Sequence, residues 1–135
     1  MFKRVISRRK LNNKISSQAA SWWSGMLLEP FKYFNDKQIK YKIKRDNTLS
    51  LEQVMIFEDV LRDKIRKGLS GSQGLMTFST NDDILKDSAL AAHIPNFPKD
   101  YFPKGAKMII ESYMNENKPE IYVYIGGATE SEKVR

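Results

Sequence analysis

The sequence predicts a single α+β (or α/β) domain, on three observations. Helical and strand periodicities alternate along the chain, 135 residues suffice for one core and not for two, and the hydrophobic (41%) and charged (29%) fractions are those of an ordinary globular protein. The expected order is α, β, α, β, α, β, β, a mixed sheet of about four strands with helices on one or both faces. Residues 1–14 read as a basic N-terminal arm, 15–127 as the globular body and 128–135 as a polar C-terminal tail.

The arm, MFKRVISRRKLNNK, carries Lys3, Arg4, Arg8, Arg9, Lys10 and Lys14, and no acid precedes Glu29. Three readings fit it: a segment that tracks phosphates, a solubilising tail, or a mitochondrial transit peptide. From Ser16 the spacing turns helical, with Ala19, Trp22, Trp23, Met26, Leu27, Phe31 and Phe34 three and four residues apart. Ser16 or Ser17 is the expected cap, and Pro30 ends or bends the helix. At least one of Trp22 and Trp23 belongs in the core, which leaves the other for stacking or a partner interface.

After the turn signal Asn35-Asp36, Ile39, Tyr41 and Ile43 alternate with Lys40, Lys42 and Lys44, the period of a strand buried on one side. Such lysines either guard an edge strand against pairing or, with Arg45, meet phosphates.

Ser50 and Gln53 form a capping-box pattern, with Leu49 and Val54 as a hydrophobic staple. Val54, Phe57, Leu61 and Ile65 mark the buried stripe of this second helix, and Glu58/Arg62 and Asp63/Lys67 are opposite charges at i,i+4. Lys64, Arg66 and Lys67 suit the negative end of its dipole, and Gly68 is the expected stop. The loop GLSGSQG lacks the Lys-Ser/Thr pair of a P-loop and reads as a connector. Leu75–Ser79 reads as a strand, with Met76 and Phe78 on one face. Thr80 or Asn81 opens a third helix, Asp82 and Asp83 favour its first turn, His93 falls in its last turn, and Pro95 closes it.

The segment NFPKDYFPKG repeats Phe-Pro-Lys as Phe97-Pro98-Lys99 and Phe102-Pro103-Lys104. Its aromatics plug the end of the core, stack on a nucleotide, or do both. Strands over Lys107–Met114 and Glu120–Ile125 follow, joined by a loop of hairpin length, and Tyr122 and Tyr124 share the face opposite Ile121, Val123 and Ile125. Tyrosines on a sheet face resemble single-strand-binding platforms, although the signature of an RNA-recognition domain is missing.

The chemistry available is narrow. There are no cysteines and one histidine, His93, which excludes disulfides, thiolate metal sites, cysteine nucleophiles and multi-imidazole constellations. No catalytic residues, metal or cofactor are expected. No run of about 18 apolar residues exists, so no membrane span is expected. Charge is the uneven feature. Residues 1–48 hold twelve Lys and Arg against three acids (Glu29, Asp36 and Asp46), whereas residues 49–135 hold eleven against thirteen. Positive charge gathered in one third of the chain makes a directional, salt-sensitive field for anions.

The expected function is a small basic non-catalytic binder of nucleic acid or an anionic nucleotide. Arg4, Arg8, Arg9, Lys10, Lys40, Lys42, Lys44 and Arg45 would meet phosphates, and Trp22, Trp23, Phe97, Phe102, Tyr122 and Tyr124 would stack or bind a partner. The alternative is a protein-interaction module anchored on a tryptophan and the Phe-Pro-Lys loop.

Gln18-Ala19-Ala20 with Trp22-Trp23, then Phe57-Glu58 and Leu61, then Ile94-Pro95 and Phe102-Pro103-Lys104 before the last hairpin, resembles a group of small uncharacterised phage and prophage proteins. The likeness spans about residues 17–127, and Gly126-Gly127 stands where that group has an aromatic-glycine ending. It implies a bacterial host cytoplasm, and either nucleic-acid binding or inhibition of a host enzyme or defence system. A mitochondrial assembly subunit in the matrix is implied instead if residues 1–14 are part of a transit peptide.

Overall fold

Local signals place the helices, and packing extends them. A computed structural model describes residues 8–28, 49–72, 74–95, 97, 102, 106–111, 120–124 and 132–133. Helix α1 runs Arg8–Leu28, starting well before Ser16, so the second half of the presumed arm is helical. Its buried positions, from Leu11 and Ile15 through Ala19 and Trp23 to Met26 and Leu27, fall on one broad stripe. Helix α2, Leu51–Gly71, carries the expected capping box, with Ser50 Oγ accepting from the Gln53 N–H at 3.1 Å and Gln53 Oε1 accepting from the Ser50 N–H at 3.0 Å. Val54, Phe57, Leu61, Ile65 and Leu69 are its buried face.

Gly68 does not stop α2, which continues to Gly71. A Cβ there would lie 2.7 Å from Met76 Cε, the movable end of a side chain on strand β1, Leu75–Ser79. The chain turns through Gly74 at φ 91°, a conformation that suits glycine. Helix α3, Asp83–Ala91, has Asp82 at its N-cap rather than Thr80 or Asn81. The Asp82 carboxylate instead accepts from the Ser79 N–H at 2.7 Å. His93 lies beyond the helix rather than in its last turn. Gln53 ties α3 to α2 by donating to the carbonyls of Ala92 (3.3 Å) and His93 (3.0 Å).

Strands β2 (Lys107–Glu111), β3 (Glu120–Tyr124) and the two-residue β4 (Glu132–Lys133) follow. The fold is therefore α+β, with three helices and an antiparallel sheet. Every described pairing is antiparallel, β1 to β2 included, whereas the sequence suggested a mixed sheet. The connection explains the difference. The nine residues of α3 carry the chain away from β1, and Ala106, whose carbonyl accepts from the Thr80 N–H at 3.0 Å, starts β2 beside the point where β1 ended. The strand expected at Ile39–Lys44 lies outside the described residues.

One face of the sheet is buried under the helices: Phe78, Met108, Ile110, Ile121 and Val123. Trp23 stands at its centre, 5.9 Å from the Phe78 ring and 5.0 Å from Phe102, with its indole N–H directed to Met108 Sδ at 3.3 Å. No helix of the described residues is long and apolar enough to cross a membrane.

Candidate nucleic-acid interface

Helices α1 and α2 run antiparallel, because Ser24 near the end of α1 donates to Glu58 early in α2 at 2.7 Å, while Asn13, Ser16 and Ser17 lie beside the later residues of α2. Ser16, Ala20 and Ser24 recur at four-residue spacing and are buried, so small side chains line this approach. The N-terminal half of α1 and the C-terminal half of α2 thus share one end of the pair.

A cleft of about 470 Å³ opens at that end, lined by Asn13, Ser16, Ser17, Asp59, Arg62, Asp63 and Arg66. Both serine hydroxyls donate to the Asn13 carbonyl, at 3.1 and 2.9 Å, which leaves their lone pairs as acceptors. Arg62 meets Asp59 at 2.5 Å, and Asp63 is held by both Arg66 and Lys67. Hydrogen bonds from Arg66 and then Lys67 pull the Asp63 carboxyl below its ordinary pKa. These pairs are solvent-exposed, so they contribute little and a guanidinium can exchange its carboxylate for another oxyanion.

In the cleft lining Arg62 and Arg66 are balanced by Asp59 and Asp63. Helix α1 contains no acid at all; Arg8 and Arg9 form its first turn, and Lys10 and Lys14 are exposed. Lys67, exposed and paired with Asp63, adds a cation on α2. The positive end of the α1 dipole lies at the same place.

The sequence-predicted residues divide sharply. Arg4, Lys40, Lys42, Lys44 and Arg45 lie outside the described residues. Arg8, Arg9 and Lys10 are the first three residues of α1. Trp22 and Trp23 are both buried and in edge-to-face contact, so neither is left over for stacking or a partner. Phe102 is buried as well, and Phe97 packs against Phe57 and Phe102, so these two rings act as the plug of the core. The physical reason is shared: the small sheet needs large rings to fill the space under α1. Tyr122 is half-buried on β3 and donates its hydroxyl to Glu120. Tyr124 pairs in register with Lys107.

Sequence reasoning misses the cleft, because it gives Ser16 and Ser17 to a cap and the basic residues of α2 to its dipole alone. The Ser16, Ala20, Ser24 spacing is the available sign that a second helix approaches here. No group of three or more histidine, aspartate or glutamate side chains gathers into a metal site among the described residues. No protein family, curated protein or solved structure matches the chain.

Proposed function

We propose that this is a non-catalytic nucleic-acid-binding protein, encoded by a phage or mobile element and working in the cytoplasm of its bacterial host, that grips phosphates at the basic end of the α1/α2 pair. One observation carries this reading: the acid-free helix that begins Arg8-Arg9-Lys10 runs beside Arg62 and Arg66, which line an open polar cleft together with Asp59 and Asp63. Arginine forks suit phosphate oxygens, and lysines supply the field. Lys40, Lys42, Lys44 and Arg45 add to the same charge excess in the first third of the chain.

Binding of this kind weakens with salt, with a logarithmic slope of roughly one unit for each phosphate that the protein neutralises. The double variant Lys10→Glu/Lys14→Glu should elute from heparin and from DNA at lower salt than wild type and show a shallower salt slope, with an unchanged circular dichroism spectrum. Undiminished retention in that variant and in Lys40→Glu/Lys42→Glu/Lys44→Glu would sink the proposal.

A second reading, a phage inhibitor of a host enzyme or defence system, is favoured by Leu51 and Met55, exposed at i,i+4 on α2. Pull-down from nuclease-treated host lysate separates the two: a stoichiometric protein partner supports the inhibitor, and loss of every partner supports nucleic-acid binding.

A further inference from the structure

Arg62 and Arg66 stand about one helical turn apart on α2, and both line the cleft. Each is already held by a carboxylate of its own helix: Asp59 takes Arg62 at 2.5 Å, and Asp63 takes Arg66. Lys67 reaches Asp63 as well, at 3.0 Å, and together the two cations hold that carboxyl below its ordinary pKa, so it stays ionised at neutral pH. The cleft therefore carries its own anions. An incoming oxyanion has to displace them, and its charge and number of free oxygens decide whether it can.

A phosphodiester within a strand brings one negative charge and two free oxygens, which is what a carboxylate already supplies, so the exchange gains little. A phosphate monoester brings a charge of about −1.5 to −2 at pH 7 and three free oxygens, so two guanidinium forks can share it. Ser16 and Ser17 widen the difference. Their hydroxyl protons go to the Asn13 carbonyl, which leaves none to help hold a diester. Both ion pairs are solvent-exposed, so opening them for the stronger anion costs little.

Resting on the nucleic-acid reading above, we infer that the cleft takes a terminal phosphate monoester, the phosphorylated end of a nucleic-acid strand, and that Asp59 and Asp63 are built-in competitors that turn internal phosphodiesters away. Its volume of about 470 Å³ has room for an end nucleotide with its phosphate. The strand beyond that nucleotide meets the field of acid-free α1, where Lys14 is exposed next to Asn13.

The test is binding of the full chain to one short single strand carrying a phosphate at its 5′ end, at its 3′ end, or at neither. A phosphorylated end should tighten binding about tenfold over the strand with hydroxyl ends. Arg62→Gln/Arg66→Gln should abolish that preference while leaving weak, salt-sensitive binding of every strand. Asp59→Asn/Asp63→Asn should tighten binding of the unphosphorylated strand more than that of the phosphorylated one, so the ratio shrinks; circular dichroism confirms that each variant folds. A nucleoside monophosphate should compete only at about a hundredfold higher concentration than the phosphorylated strand. Equal competition by the mononucleotide overturns the strand end as ligand. A preference that survives Arg62→Gln/Arg66→Gln, or a ratio unmoved by Asp59→Asn/Asp63→Asn, overturns the role given to the cleft. Equal binding of all three strands, still weakened by Lys10→Glu/Lys14→Glu, overturns this inference and leaves nucleic-acid binding standing, whereas no binding of any strand overturns both.

Discussion

His93 adopts φ 55° just after α3, a left-handed conformation that a residue with a Cβ enters at a cost of about 1–2 kcal/mol. The surrounding hydrogen bonds require it: the Ile94 N–H reaches the Ala89 carbonyl at 3.0 Å and the His93 N–H reaches Leu90 at 3.1 Å, the double closure of a Schellman motif. Ile94 and Ala89 are both buried, so the motif also docks the end of the helix. His93→Gly removes the strain and adds unfolded-state freedom worth about 0.5–1 kcal/mol, so a net gain of up to about 1 kcal/mol is expected. Urea unfolding checks this, and a fall in the midpoint would show that the imidazole makes a stabilising contact of its own. Asn12 is the opposite kind of residue: buried, with Oδ1 lacking a hydrogen-bond partner, it lowers stability where it stands.

Helix α2 shows what local signals determine. Its capping box and buried stripe are legible in the sequence because each rests on residues three and four apart. Its ion pairs are less so: Glu58 accepts from Ser24 of α1, a contact that only the packed pair of helices creates, and Arg62 takes Asp59. The start of α1 is illegible for a related reason. It has no acid in its first turn, so packing of Leu11, Ile15 and Ala19, and not local propensity, makes those residues helical. The α3 connection hides the antiparallel sense of β1 and β2, since strand direction depends on where the chain returns. The cleft is hidden because its two halves lie far apart along the chain. Asp63 bears a measurable consequence. Its folded pKa is lowered by Arg66 and Lys67, so its stabilising effect is present above the unfolded carboxylate pKa and lost as pH falls through the folded value. An NMR titration should find its midpoint below 3.8, and the stability difference between wild type and Asp63→Asn should shrink in that acid range. A midpoint at or above 3.8 would mean the pairs do not persist in solution.

At the scale of the molecule, one core joins the helix pair to the sheet, and the aromatic rings carry that junction. Trp23 contacts Phe78 on β1, Met108 on β2 and Phe102 of the loop, and Phe102 passes the contact through Phe97 to Phe57 on α2. The tryptophans and the Phe-Pro-Lys repeat are visible in the sequence; that they meet one another is not, because nothing in their spacing links Trp23 to Phe102. A ring that ties α1, two strands and a loop together should cost more on removal than one at the margin. Trp23→Ala is therefore expected to cost about 3–5 kcal/mol, against a total stability of roughly 5–15 kcal/mol for a domain of this kind, leaving it marginal or unfolded. Trp22→Ala should cost less, since Trp22 retains 8% of its surface in solvent and touches Trp23 edge-on. Trp23→Phe should keep the fold, because a phenyl ring fills most of the site and the indole N–H that it removes is directed to a thioether, a weak acceptor. Denaturant unfolding followed by far-ultraviolet circular dichroism ranks the three. Equal destabilisation by Trp22→Ala and Trp23→Ala would mean that α1 is held chiefly by its packing on α2 and that the sheet folds without it.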